Sequence, residues 1–150
     1  MIRIQTEDFD IGAEAGALTA GRTDIGALVT FTGLVRDMND GRVSSMEIEH
    51  YPGMTEKELA RIEQEAHHRW SLQASLIIHR VGRLSQGDNI VLVITASAHR
   101  PAAFEAASFL MDYLKTSAPF WKRETFDGEA RWVEARESDD AALKKWFSQS

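Results

Sequence analysis

The sequence predicts an α+β fold with a mixed, largely antiparallel sheet, and two observations lead to this expectation. Apolar patterns with the periods of strands and helices follow one another in the order β, α, β, β, α, β, β, α, β, β, α, without regular βαβ alternation. The pair Asp127-Gly128 separates two β-rich segments and is typical of a type I′ hairpin turn. No internal repeat or long linker divides the 150 residues, so we expect a single domain over residues 1–150.

The first third of the chain contains a short strand, a small helix and two longer strands. Residues 1–5 form the first strand, and Asp10 is suited to cap a helix over residues 11–20. Residues 26–36 are rich in β-branched and apolar side chains, which predicts a central strand. Residues 45–51 alternate between the two faces of a further strand, after the polar loop that precedes it.

The remaining elements have equally clear signals at their ends. Thr55 and Glu58 have the spacing of a capping box, which predicts a helix from Thr55 to about Trp70. Residues 89–98 are continuously apolar, as in a strand that is buried on both faces. The other elements are a strand at 74–81, a turn at 82–88, a helix from Pro101 to about Thr116, strands at 120–126 and 129–136, and a last helix at 139–147.

The composition excludes several classes of protein. The net charge of −6 argues against general binding to nucleic acids or membrane surfaces. No apolar run reaches the ~18 residues of a spanning helix, and the first residues lack the apolar segment of a signal peptide. A cytoplasmic location is therefore expected.

The chain contains no cysteine, which excludes disulfides, thiolate metal sites and a cysteine nucleophile. If the protein handles sulfur, the sulfur must arrive on another molecule. The five histidines form no metal-binding spacing such as H-x-x-x-H, so no metal site is expected.

Lys115 is placed unusually on the predicted third helix. Its apolar positions follow helical spacing at Phe104, Ala107, Met111 and Leu114. Lys115 lies about three turns after Phe104, so it should point close to the direction of this apolar stripe. Lys115 either lies at the edge of a cleft, or its positive charge in the last turn interacts favourably with the negative end of the helix dipole.

Two further cationic positions occur at the ends of elements. His99 and Arg100 precede the start of the third helix, where unpaired N–H groups favour phosphate or carboxylate. They could equally cap and solvate the loop. Arg36 ends the strand at residues 26–36, a position that favours ligand contact but also suits a solvated arginine.

The last predicted hairpin is locally basic. Alternation places Lys122 on the same face as Phe120 and Glu124, whereas Arg123 takes the other face. Lys122 could bind a ligand, pair with a glutamate across the strands, or extend its amine to water. With Arg131 and Arg136 on the partner strand, the hairpin suggests an anionic small ligand or an anionic peptide end.

The two cationic groups of the third helix lie at its opposite ends. Pro101 and Lys115 are separated by about 21 Å if the helix is continuous. His99 and Arg100 can therefore hardly share a small pocket with Lys115 within one subunit. If both groups serve one site, a symmetric dimer could bring the helix start of one subunit to the lysines of the other.

Several segments of the chain match the motifs of one known family. They are V-T-F-T-G-L-V-R (29–36), E-H-Y-P-G-M-T-E-K (49–57), W-x-L (70–72), I-H-R-V-G-x-L (78–84), S-A-H-R-x-x-A-F-E-A (97–106), M-D-Y-L-K-T-x-A-P-F-W-K-R-E (111–124) and R-W-V-E-A-R-E-S-D (131–139). In these segments, and over nearly its whole length, the chain resembles the catalytic (large) subunits of molybdopterin synthase.

This resemblance implies an α/β-hammerhead-type fold with an additional β-rich subdomain, and a homodimer within a heterotetramer. It implies a sulfurtransferase that takes two sulfurs from the thiocarboxylated C-terminus of a small ubiquitin-like subunit. The implied substrate is cyclic pyranopterin monophosphate (precursor Z), and the product is the dithiolene of molybdopterin, in molybdenum cofactor biosynthesis. It implies no cofactor, and the absence of cysteine is consistent with sulfur carried by a partner.

The resemblance also implies roles for individual residues. Lys115 and Lys122 are expected to be catalytic, with Lys115 partly desolvated and acting as general acid/base or orienting the thiocarboxylate. Arginines are expected to hold the phosphate. The full expected substrate-binding set is Leu34, Val35, Arg36, His99, Arg100, Lys115, Lys122, Arg123, Glu124 and Arg136.

A second function is compatible with the same residues. A non-catalytic module could present a basic groove to the tail of a carrier protein. Loss of turnover with retained partner binding in Lys115→Ala would favour the enzyme over this module.

Overall fold

The computed structural model describes residues 1–36, 43–126, 129–133 and 137–147. Along this part of the chain, none of the helices is both long and apolar enough to cross a membrane. The elements, in chain order, are β1 (Ile2–Gln5), α1 (Ile11–Thr19), β2 (Ala27–Leu34), β3 (Val43–His50), α2 (Met54–Arg69), β4 (Leu72–Arg80), β5 (Gly82–Ser85), β6 (Asn89–Ser97), α3 (Arg100–Thr116), β7 (Phe120–Phe126), β8 (Glu129–Val133) and α4 (Glu137–Phe147).

The first sheet has the strand order β1-β4-β6-β2. The β1–β4 pair is parallel, and the other two pairs are antiparallel. The central strand β6 is buried from Ile90 to Ser97, which confirms the prediction of a strand covered on both faces. One face of the sheet packs against α2 and α3 through residues such as Ile77 and Val93, and the other face packs against α1 through Leu76 and Ile78.

The position of β2 differs from the prediction. Its apolar sequence suggested a central strand, but β2 forms the edge of the first sheet. Three of its large apolar side chains are exposed: Leu28 at 38%, Phe31 at 39% and Leu34 at 53%. Composition alone does not separate a central strand from an edge strand that keeps an apolar surface.

The second sheet is antiparallel throughout, with the order β5-β3-β7-β8. The prediction of an α+β fold with mixed, largely antiparallel sheets is confirmed, and this sheet is the additional β-rich part. Strand β5 was wrongly expected to be part of a turn. Gly82 adopts a φ of +89°, and the buried Leu84 then pairs with Met46 of β3. The Asp127-Gly128 turn lies outside the described residues, but the strands on either side of it pair as expected, with Phe126 opposite Glu129.

Helix starts show one confirmed cap and one correction. The Asp10 carboxylate accepts a hydrogen bond from Ala13 N–H at 2.9 Å, as predicted. Helix α2, however, begins at Met54 with Gly53 as its N-cap, and the Glu56 carboxylate accepts from Gly53 N–H. Thr55 is therefore not the cap. Its side chain is fully buried and makes a different contact, described below.

Candidate active site

Lys115 and Lys122 lie on either side of the short connection between α3 and β7. Lys115 is in the last turn of α3, and Lys122 lies on β7 directly opposite the buried Ile48 of β3. Lys122 is half-buried, but Lys115 is exposed, which corrects the expectation of a partly desolvated amine. The buried face of α3 runs through residues such as Ala103, Leu110 and Leu114, so the direction shared by Lys115 and Phe104 faces outward.

A buried histidine, His79, lies within the electrostatic reach of both lysines. Burial lowers the pKa of His79 to about 3; the charges of Lys122, Lys115 and His50 act in the same direction, and a hydrogen bond with Arg80 opposes them. His79 Nδ1 lies 2.8 Å from the Arg80 carbonyl oxygen. Since a carbonyl only accepts, Nδ1–H donates to it. The lowered pKa leaves the ring uncharged at neutral pH. The charges of both lysines thus act on one uncharged ring.

Sequence reasoning did not single out His79 as a functional residue. The only signal was a polar residue at the end of the apolar run of β4, just after Ile77 and Ile78. Its ring stacks on Phe120 of β7, with a centroid distance of 3.8 Å and an interplanar angle of 16°. This contact between the two sheets depends on pairing that no single segment reveals.

The residues of β7 divide between two faces, as alternation predicted. Glu124 shares the inner face with Lys122 and is buried, opposite Met46. Arg123 lies on the outer face, where its Nη2 donates to the Glu47 carboxylate at 3.0 Å. The structure therefore brings Lys122 and Glu124 together and directs Arg123 away from them.

The loop before α3 forms a second cationic position. His99 is the N-cap of α3 but makes no side-chain cap, and Arg100 is the first helical residue; both are exposed. Ser97 Oγ donates a hydrogen bond to the His99 carbonyl. Because α3 has 17 residues, His99 and Lys115 lie at its opposite ends within one subunit, as expected.

The third group of predicted residues follows β2. Leu34 is exposed, Arg36 is exposed, and Val35 between them is buried. Val35 N–H donates to the Asp88 carbonyl at 2.9 Å, and its own carbonyl accepts from Gly87 N–H at 2.7 Å, so this segment is held by the β5–β6 turn. The last predicted position, Arg136, lies outside the described residues.

An apolar groove lies between β2 and α3, with a volume of about 300 Å³. Phe31 and Phe104 contribute exposed aromatic surface to it, at 39% and 60% exposure. Met111, one helical turn before Lys115, lies at the lysine end of the helix. The residues lining the groove are Val29, Thr30, Phe31, Phe104, Ala107, Ser108, Met111 and Asp112.

The fold and the site together define an α+β protein that combines exposed cationic side chains with an apolar groove. The family model described as MoaE protein matches residues 4–117. A molybdopterin synthase catalytic subunit from Mesorhizobium japonicum is 58% identical over 151 residues, covering 99% of this chain and 94% of the relative. The chain belongs to the MoaE protein family.

Solved structures agree with this assignment. A molybdopterin biosynthesis MoaE protein from Burkholderia ambifaria has a TM-score of 0.84 and 55% identity, with 98% of this chain and 97% of the other covered. A molybdopterin synthase from Staphylococcus aureus has a TM-score of 0.80 and 31% identity, with 87% and 95% covered. The architecture is therefore shared at both high and moderate sequence identity.

Proposed function

We propose that this chain is the catalytic subunit of a molybdopterin synthase and acts as a sulfurtransferase. It transfers two sulfurs from the thiocarboxylated C-terminus of a small ubiquitin-like subunit to precursor Z, forming the dithiolene of molybdopterin. The observation that carries the proposal is the placement of Lys115 and Lys122 on either side of the short connection between α3 and β7, where the charges of both act on the buried His79. Family membership supports the choice of reaction and partner.

The source of the sulfur follows from composition. With no cysteine in the chain, no persulfide or thiolate of its own can carry the sulfur to the substrate. The groove between β2 and α3 is suited to an extended peptide tail, because Phe31 and Phe104 offer apolar surface along it. A tail in this groove that passes Met111 would bring its terminal thiocarboxylate towards Lys115, one helical turn further on.

The lysines provide the positive charge that the reaction requires. Addition of a thiocarboxylate sulfur to the pterin side chain builds anionic intermediates, and fixed cations stabilise such charge. Lys122 is half-buried on a paired strand, which suits electrostatic stabilisation. Lys115 is exposed at a helix end, where its amine can orient the thiocarboxylate or transfer a proton.

The remaining proposed substrate contacts come from several elements. Arg36 and Arg100 are exposed and suited to bidentate phosphate binding, and His99 can donate to the same group. A homodimer would bring His99 and Arg100 of one subunit to the lysines of the other, and would also give the outward-facing Arg123 a route to the site. The same proposed set includes Leu34, Val35, Glu124 and Arg136.

Reconstitution tests this function. The chain is mixed with a thiocarboxylated small subunit and precursor Z, and the dithiolene product is oxidised to a fluorescent pterin. We expect product from the wild type and a loss of turnover on the order of 100-fold or more in Lys115→Ala, the usual range for an acid–base group. Lys57→Ala, which removes an exposed lysine of α2, is the matched control and should retain turnover. A well-formed complex in which the wild type yields no product would contradict the proposal and favour the partner-binding module.

A further inference from the structure

The two lysines of the proposed site belong to different layers of the fold. Lys115 is on α3, which packs on the first sheet, whereas Lys122 is on β7 in the second sheet. Their separation therefore depends on how the start of β7 is fixed to the first sheet. A side chain that holds this junction therefore contributes to the geometry of the lysine pair.

His79 makes such a contact between the sheets. It is at the end of β4 in the first sheet, and it stacks on Phe120, the first residue of β7. Phe120 and Lys122 are two residues apart and share the inner face of β7, so a shift of one moves the other. The ring of His79 is itself fixed by the hydrogen bond from Nδ1–H to the Arg80 carbonyl.

The electrical neutrality of His79 matters at this position. The side chains whose charges act on its ring are Lys122, Lys115 and His50. Among the hydrogen bonds described for the His79 side chain, the acceptor is the Arg80 carbonyl, and no carboxylate takes part. A protonated ring would be repelled by the charges of both lysines. A neutral aromatic ring avoids this repulsion and stacks on Phe120, which an aliphatic side chain cannot do with the same geometry.

We propose that His79 is a positioning residue for the lysine pair, holding Phe120 and hence the start of β7 at the distance from α3 that sulfur transfer requires. This inference rests on the proposed function. The competing interpretation is that His79 only fills space in the core.

Four variants test the inference in the reconstituted complex: His79→Leu, His79→Phe, Phe120→Leu and the double variant His79→Leu with Phe120→Leu. We expect kcat to fall about 10-fold or more in His79→Leu, with partner affinity and the KM for precursor Z changed less than about twofold, as for a misplaced catalytic group. His79→Phe keeps a neutral stacked ring and should retain most of kcat. If His79 acts through Phe120, the kcat of the double variant should be no lower than that of the less active of the two single variants.

Leu76→Ala is the control for loss of core packing. Leu76 is buried three residues earlier on β4, but it packs in the cluster on the opposite face of the sheet, with Phe9. The Leu76→Ala variant should lower thermal stability. Its kcat per folded molecule and the pH dependence of kcat should stay at wild-type values. Wild-type kcat in His79→Leu, or losses that multiply in the double variant, would overturn the inference. If His79→Leu does not fold, His79→Phe and Phe120→Leu are compared in the same way.

A measurement without substrate separates this inference from the proposed function. The amine of Lys122 is followed by NMR with ¹³Cε-labelled lysine, and its signal is assigned with Lys122→Arg. The midpoint of its titration should move in His79→Leu and Phe120→Leu but not in Leu76→Ala. An unchanged midpoint refutes the positioning role, whereas a wild type that binds its partner but makes no product refutes only the proposed function.

Discussion

Replacing Gly26 by alanine should disturb the loop that carries His99 and Arg100. Gly26 precedes β2, and its N–H donates to the Ser97 carbonyl at 2.9 Å. A Cβ atom at Gly26 would lie 2.2 Å from the carbonyl oxygen of Ala98 and 3.3 Å from its carbonyl carbon. Both are backbone atoms, so no side chain can move aside to make room.

The size of the effect follows from these distances. The Ala98 carbonyl has to move by roughly 1 Å to restore ordinary contact with carbon. We expect weakening of the Gly26–Ser97 hydrogen bond, about 1 kcal/mol, and strain that brings the total loss of unfolding free energy to roughly 2 kcal/mol. This corresponds to a decrease in Tm of about 4–8 °C for a chain of this size. Because Ala98 directly precedes His99, a displacement of this size should lower kcat/KM for precursor Z by about 10–100-fold.

Thermal unfolding and the reconstituted turnover assay measure the two effects. Gly16→Ala is the matched control, since Gly16 lies inside α1 and the methyl group of an alanine there would meet nothing within 4 Å beyond its own helix. At Gly16 the same substitution should raise stability by about 0.5–1 kcal/mol and leave turnover unchanged. Wild-type Tm and turnover in Gly26→Ala would show that the loop tolerates the displacement, and the link between this close contact and the site would be wrong.

Two further predictions concern the junction between the sheets. The Thr55 hydroxyl donates to the Pro119 carbonyl at 3.1 Å and accepts from Tyr51 N–H at 3.0 Å. In denaturant unfolding, Thr55→Val should therefore lower the free energy of unfolding by about 2 kcal/mol, and Thr55→Ser, which keeps the hydroxyl, by clearly less. Equal losses in the two variants would contradict a role for the hydroxyl. Burial lowers the pKa of His79 from 6.5 to about 3. Between pH 6.5 and pH 3, the unfolded chain therefore binds a proton at this histidine that the folded chain does not. The free energy of unfolding consequently decreases as the pH falls through this range. Unfolding free energies measured from pH 7 to 4 should therefore decrease less steeply in His79→Phe than in the wild type, by up to about 1.4 kcal/mol per pH unit, and parallel curves would exclude this proton linkage.

Local sequence patterns predicted most of the secondary structure because their causes are local. The apolar run of β6, the Asp10 cap and the alternation of β7 each depend on neighbouring residues. Strand β5 was missed because its identity as a strand depends on pairing with β3, far away in the sequence. The spacing from Thr55 to Glu58 is that of a capping box, but the Thr55 hydroxyl donates a hydrogen bond to the Pro119 carbonyl instead of capping the helix.

The site was predicted less completely than the fold, for a related reason. Helical spacing correctly placed Lys115 in line with Phe104, but which direction faces the core depends on how α3 packs on the first sheet. The separation of His99 from Lys115 followed from helix length alone and was correct. The position of His79 between two sheets could not be inferred, because its contact with Phe120 joins residues 41 positions apart.

The interleaving of the two sheets along the chain has a consequence for synthesis on the ribosome. All four strands of the first sheet precede Arg100, so that sheet can be completed early. Strand β3, although made before two of those strands, has one edge without its partner until β7 emerges. During translation this unpaired edge can associate with strands of other nascent chains. Glu47 and Glu49, at alternate positions of β3, place negative charge on one face of this strand. The charge opposes such association until β7 (Phe120–Phe126) pairs with the open edge.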